Sequence, residues 1–93
     1  MTGPLYRADP PTMRLAVEAE GLTLLYHRPS GMTHVLGPPA PELLTALAEG
    51  PADAAEIVRR LRRHHDLQDA PGIEAVVAAR LDELEAAGLV SRA

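Results

Sequence analysis

Leu22-Thr-Leu-Leu-Tyr-His27, Arg28-Pro-Ser-Gly31 and Met32-Thr-His-Val-Leu36 follow one another without interruption, and their order decides the fold. The first run is rich enough in apolar residues to be a central strand. The next four residues carry Pro at the second position and Gly at the fourth, which suits a type I turn. The third run alternates. Thr33 and Val35 share one face while Met32, His34 and Leu36 share the other, as in a strand. Gly37-Pro38-Pro39 ends it, because proline has no N–H to give to a ladder.

Reading outward toward the N-terminus, Arg14 to Glu18 alternates as well. Leu15 and Val17 fall on one side, with Arg14, Ala16 and Glu18 on the other, the pattern of a half-buried strand. Glu20-Gly21 supplies the turn between this strand and the next, so three short strands form an antiparallel meander. Met1 to Thr12 holds three prolines and a glycine and shows no period. Residues 1–12 therefore read as a flexible N-terminal arm, with a short strand near Leu5–Arg7, and residues 13–93 as one domain.

Reading outward in the other direction, the period becomes helical. Pro41 and Glu42 suit a first helical turn, Leu43, Leu44 and Leu47 form a stripe, and Gly50 stops the helix. Asp53 is an N-cap candidate with Glu56 three residues on, as in a capping box. The helix it opens turns Ile57, Val58 and Leu61 inward and ends around His64-His65. Leu67 to Gly72 reads as a loop. A last helix begins at about Pro71 or Ile73 and runs to Ala87, with Ile73, Val77, Leu81 and Leu84 at core spacing. Gly88 caps it, and Leu89-Val90 folds back onto the core. The expected class is α+β and winged-helix-like, a three-stranded antiparallel sheet packed on three α-helices in the order β-β-β-α-α-α.

Composition narrows the function. Ninety-three residues with 46% apolar content make one domain near the small end of what a single core supports. With no Phe or Trp and only two tyrosines, that core is aliphatic. Cysteine is absent, which removes disulfides and thiolate metal sites and fits a cytoplasmic protein. No apolar run approaches the ~20 residues of a membrane span. The formal charge of −4 argues against nucleic acid, whose phosphates call for basic surface.

Catalytic and metal constellations are weak. His64 and His65 are adjacent, so on a helix they point about 100° apart and do not share a metal readily. His27 and His34 lie on neighbouring strands, yet a zinc site would need a third ligand from Asp or Glu. Neither a metal nor another cofactor is expected. Ser30 and Ser91 fall in a turn and a tail, and no Gly-rich phosphate loop follows a strand. The chain does not read as an enzyme.

The strongest charge feature is Arg59, Arg60, Arg62 and Arg63, which against Asp53 and Glu56 give residues 53–65 a formal +2. It is either an ordinary solvated helix face or a patch that attracts an acidic peptide or partner. The last helix sets Arg80 against Glu74, Asp82, Glu83 and Glu85, a formal −3 for residues 73–87. A winged helix-turn-helix would send that helix into the DNA major groove, where like charge opposes it.

Three strand and helix segments, Gly21-Leu-Thr-Leu-Leu-Tyr26, Pro29-Ser-Gly-Met-Thr-His-Val-Leu36 and Pro41-Glu-Leu-Leu-Thr-Ala-Leu47, together resemble the PqqD family of peptide chaperones. Ala55-Glu-Ile-Val58 with Leu61, and Leu81-Asp-Glu-Leu-Glu-Ala-Ala-Gly-Leu-Val90, extend the likeness over roughly residues 14–91. These domains are also called RiPP recognition elements, since they bind leaders of ribosomally made, post-translationally modified peptides. The Ser-Gly-x-Thr-His-x-Leu stretch is similar to the members found beside HPr-kinase-related proteins, the HPr-rel-A group. Two positions depart from the family. Gly37-Pro38-Pro39 stands where Asn is frequent, and Val76 and Arg80 stand where the last helix often has an Asp and an aromatic.

The resemblance implies a non-catalytic chaperone whose partners are a precursor peptide and the enzyme that modifies it. In the family the leader adds as an extra strand, taking affinity from backbone hydrogen bonds and selectivity from side-chain pockets. Here the edge would be Met32, Thr33, His34, Val35 and Leu36. The facing wall would be Val76, Arg80, Glu83 and Ala87, which share a helix face distinct from the core stripe. Arg80 either pairs with an acidic leader side chain or is tied to Glu83, three residues on. An edge strand without a fixed charge suits docking, of a leader or of a second copy in a homodimer. The other functional readings are a winged-helix nucleic-acid regulator and a structural accessory subunit of a partner enzyme.

Overall fold

The computed structural model describes residues 3–64 and 72–93. His65, the Leu67–Pro71 part of the expected loop and the side chain of His64 lie outside the described residues. Strand β1, Tyr6–Ala8, and a single 3₁₀ turn, Pro11–Met13, precede the meander β2, Arg14–Ala19, β3, Leu22–His27, and β4, Met32–Leu36. Helices α1, Ala40–Leu47, α2, Ala54–His64, and α3, Ile73–Ala86, follow, and β5, Val90–Arg92, closes the chain. The expected α+β class and its three-stranded antiparallel sheet, ordered β2-β3-β4, are present. A second, two-stranded sheet joins β1 to β5.

That second sheet changes the reading of the N-terminal arm. Tyr6 pairs with Arg92 and Ala8 with Val90, and the Tyr6 backbone exchanges hydrogen bonds of 2.8 and 2.9 Å with Ala52. Tyr6 is only 2% exposed, so the first aromatic of this Phe-free chain serves the core. Its hydroxyl donates to Asp82 Oδ1 at 2.6 Å, and the Arg92 guanidinium lies 5.6 Å from its ring centre. The hydrogen bond to Asp82, followed by burial, raises the phenol above its ordinary value of 10.0. A raised phenol favours the folded state fully below the unfolded value and loses that contribution as pH rises through the folded one. Tyr6→Phe is therefore expected to cost about 1 kcal/mol at neutral pH. It should also flatten the loss of stability above about pH 10, as read by urea unfolding along a pH series.

The helices form as their sequences dictate. Leu43, Leu44 and Leu47 of α1, Ile57, Val58 and Leu61 of α2, and Val77, Leu81 and Leu84 of α3 are all buried in one cluster. Each such side chain contributes roughly 1.5–3 kcal/mol when removed from water. Asp53 caps α2, its Oδ1 accepting from the Glu56 N–H at 2.8 Å. Gly88, at φ 81°, ends α3. Its N–H donates to the Glu85 carbonyl, and that of Leu89 to the Leu84 carbonyl, both at 3.0 Å, a Schellman ending. That ending turns the chain so that Leu89 and Val90 return to the core.

The meander settles which side of β2 meets the helices. Leu15 and Val17 are 56% and 62% exposed. The register sets Arg14, Ala16 and Glu18 opposite His27, Leu25 and Thr23, and it is this face of β3 that is buried. Alternation separates two faces of a strand but does not say which one meets the helices. Of the meander only Leu25 belongs to the buried cluster, with Leu36 packed at its margin. Arg14 reaches across to α1, donating to the Leu44 carbonyl at 3.4 Å. His27 is held by Asp9 Oδ2 at 2.7 Å on Nε2 and by Ser30 Oγ at 2.8 Å on Nδ1.

Candidate peptide-binding groove

The open edge of β4 can be read atom by atom. The Arg28 N–H donates to the Met13 carbonyl on the β2 side, and backbone groups alternate direction along an antiparallel ladder. Tyr26 and Leu24 therefore also address β2, while His27, Leu25 and Thr23 address β4. Their partners Met32, His34 and Leu36 spend their backbone groups on β3. Thr33 and Val35 are left with N–H and C=O directed away from the sheet. Because β4 is the last strand in the order, those groups face a space that another strand would fill.

A groove of about 550 Å³ lies along this edge. One side is Val35 and Leu36 running into Gly37, Pro38, Pro39 and Ala40, and the other is Arg80, Glu83, Leu84 and Ala87 of α3. Of the residues expected at the site, Val35, Leu36, Arg80, Glu83 and Ala87 are thus brought together. Met32, Thr33 and His34 belong to the same strand without lining the groove, and Val76, 52% exposed, lies one turn of α3 before Arg80. From sequence, Gly37-Pro38-Pro39 reads as a strand terminator and as a departure from the family pattern. A strand end followed by two prolines also builds a wall, since the chain must turn sharply there toward α1.

Two side chains of the expected site have distinct surroundings. Arg80 Nη1 donates to Glu83 Oε1 at 2.5 Å, so the paired alternative for Arg80 is the arrangement present. His34 Nε2 is buried and has no hydrogen-bond partner among the described residues, which is uncommon for a buried polar atom. His34 faces the helix side of β4 opposite Leu25.

The arginine run of α2 is largely committed to the fold. Arg60 is 8% exposed and bonds to the carbonyls of Ala46, Gly50 and Pro51 and to Glu56. Arg59 pairs with Glu56 at 2.9 Å, and Arg63 with Glu49 at 3.4 Å; Arg62 also makes an interaction. As a surface patch the run is weaker than its sequence suggests. Asp9, His27 and Ser30 line up in the order of a catalytic triad, which the sequence did not reveal. Their placement is architectural, because Ser30 Oγ also accepts the Met32 N–H at 3.3 Å and so closes the β3–β4 turn. Among the described residues no group of three His, Asp or Glu side chains is placed to hold a metal. No helix among them is long and apolar enough to cross a membrane.

Fold and groove together define a small α+β domain whose β4 edge lies open beside α3. The chain belongs to the PqqD family: the family model described as coenzyme PQQ synthesis protein D matches residues 23–90. That stretch runs from β3 to the first residue of β5 and includes both walls of the groove. The family consists of peptide-binding chaperones of coenzyme PQQ synthesis. No curated protein and no solved structure matches the chain.

Proposed function

We propose that this chain binds the leader of a ribosomally made precursor peptide by strand addition to β4 and presents it to a modifying enzyme. It does so without catalysing a reaction itself, in the cytoplasm. The observation that carries this reading is the outward direction of the Thr33 and Val35 backbone groups along a groove walled by α3. A leader segment in extended form would pair with those groups and lay alternate side chains toward Arg80, Glu83 and Ala87. The opposite edge, β2, carries Arg14 and Glu18, the kind of charge that discourages strand addition, whereas β4 carries no fixed charge. The acidic α3 opposes the nucleic-acid alternative. A role confined to supporting a partner enzyme would give the same edge to the partner's surface, and leader binding by the isolated chain separates the two readings.

The test is titration of the purified chain with a labelled leader from a short reading frame encoded beside it. Saturable micromolar binding, with amide shifts concentrated at Met32–Leu36 and along the Arg80–Ala87 face, is the expected result. Absence of binding to every neighbouring leader would overturn the proposal and favour the accessory-subunit role. Side-chain selectivity should follow the Arg80–Glu83 pair. Glu83→Gln releases Arg80 and is expected to tighten an acidic leader about threefold, while Arg80→Ala weakens it about tenfold, effects of roughly 0.7 and 1.4 kcal/mol. Equal affinities in all three proteins would remove Arg80 from the recognition site.

A further inference from the structure

The meander turns its more apolar face to water. Leu15 and Val17 of β2, Leu22, Leu24 and Tyr26 of β3, and Val35 of β4 are each between 40% and 62% exposed. The register makes them one surface: Leu15 lies opposite Tyr26, and Val17 opposite Leu24, which in turn lies opposite Val35. The two remaining positions on this face are Ala19 and Thr33, so the whole face carries no charged residue. The charges of the sheet, Arg14 and Glu18, stand instead on the side of the helices, together with His27 and His34. A sheet whose exposed face is apolar and whose helix-side face holds its charges is the reverse of the usual arrangement.

The six side chains present on the order of 500 Å² of contiguous surface, within the range of the largest patches on ordinary monomers, which are often functional. We infer that this face is covered by a second copy of the chain, the two sheets packing face to face about a two-fold axis. Two copies so placed cover about 1,000 Å² in total, which reaches the size at which specific interfaces begin. A two-fold contact requires a surface complementary to itself. An uncharged apolar face meets that condition, since it sets no like charges together and strands no counter-ion. Two three-stranded sheets stacked in this way form a small sandwich with a core of the usual kind. The outward backbone groups of β4 and the α3 wall stay at the rim, so each dimer keeps two grooves, with Val35 shared between the covered face and the groove. This dimer differs from one made by pairing β4 edges, which would occupy the grooves, and it does not depend on the peptide-binding proposal.

Sedimentation of the full chain from micromolar to millimolar concentration tests the inference. The wild type is expected to move from the 9.9 kDa of one chain to twice that mass within the range. Val17→Lys combined with Leu24→Lys should weaken association by at least about 100-fold, because each copy would bury two unpaired ammonium groups. Circular dichroism of the monomeric variant should be unchanged, as both side chains are exposed. A wild type that stays at one chain mass up to millimolar concentration would overturn the inference, as would a dimer that survives both lysines. If the lysine variant does not fold, the absence of native cysteine allows Val17→Cys to serve. Mild oxidation should cross-link it much faster than Arg59→Cys on α2, and equal rates would be equally decisive against the face-to-face dimer.

Discussion

Val35→Pro is expected to abolish leader binding while leaving the domain folded. The Val35 N–H points away from β3, so the substitution removes no hydrogen bond from the existing sheet. Proline is tolerated on edge strands for this reason, and the preceding His34 is already extended in β4, as a residue before proline must be. The incoming strand loses its partner at the centre of the edge. One net hydrogen bond is worth about 0.5–1.5 kcal/mol, and a peptide carbonyl left unpaired in the groove costs about 1–3 kcal/mol more. Together these come to roughly 2–4 kcal/mol, or about 30- to 1,000-fold in affinity. Val35→Thr keeps the N–H and approximate shape, and should retain affinity within about threefold. Isothermal titration of the three proteins with one leader, beside their urea unfolding curves, separates backbone pairing from side-chain contact. A folded Val35→Pro protein with near wild-type affinity would exclude strand addition at this edge.

Much of this edge was legible in the sequence, and the reasons it was or was not are physical. The Pro29–Gly31 turn and the two prolines after Leu36 fix the ends of β4, because each removes backbone options in a way that context does not override. The apolar spacing of Leu43 to Leu47 and of Val77 to Leu84 was sufficient for α1 and α3, since a helical stripe that wide has to be buried. From the α3 stripe the exposed face bearing Arg80, Glu83 and Ala87 followed. The orientation of β2 was not legible. Its more apolar side, Leu15 and Val17, lost the helix-facing position to Arg14 and Glu18, and only the pairing with Thr23, Leu25 and His27 decides that. A short strand near Leu5–Arg7 was readable and stands at Tyr6–Ala8, but Val90–Arg92 is too short to show a period, and the pairing of the two joins segments far apart in sequence. The Asp9–His27–Ser30 chain spans the N-terminal arm and a turn, so no local spacing announces it.

Arg60→Ala is expected to be among the most destabilising single substitutions in the protein, although its sequence context is a solvated basic run. The Arg60 guanidinium donates to the carbonyls of Ala46 at 3.0 Å, Gly50 at 2.6 Å and Pro51 at 3.4 Å, and its Nε to Glu56 Oε2 at 2.9 Å. Those carbonyls belong to the end of α1 and the turn after it, where the helix dipole is negative and the last peptide groups lack intrahelical partners. Arg60 thereby fastens α2 to the end of α1, the helix whose first residue, Ala40, lines the groove. Removing one partner of a buried, hydrogen-bonded ion pair costs about 3–5 kcal/mol, a large share of the 5–15 kcal/mol that holds a typical domain together. Arg60→Lys keeps the charge but not the planar fork, and should recover less than about half of the loss. Arg59→Ala, on the exposed side of the same carboxylate, should cost no more than about 0.5 kcal/mol. The hydrogen bonds from Arg59 and then Arg60 hold the Glu56 carboxyl below its ordinary value. Its contribution is therefore present above the unfolded value and fades as pH falls, so the acid limb of the wild-type stability curve should be steeper than that of Arg60→Ala. Urea unfolding of the three variants at neutral and acidic pH reads both effects. A loss below about 1 kcal/mol for Arg60→Ala would mean that the carbonyls find water in its place, and would return Arg60 to the surface run as a residue open to an acidic partner.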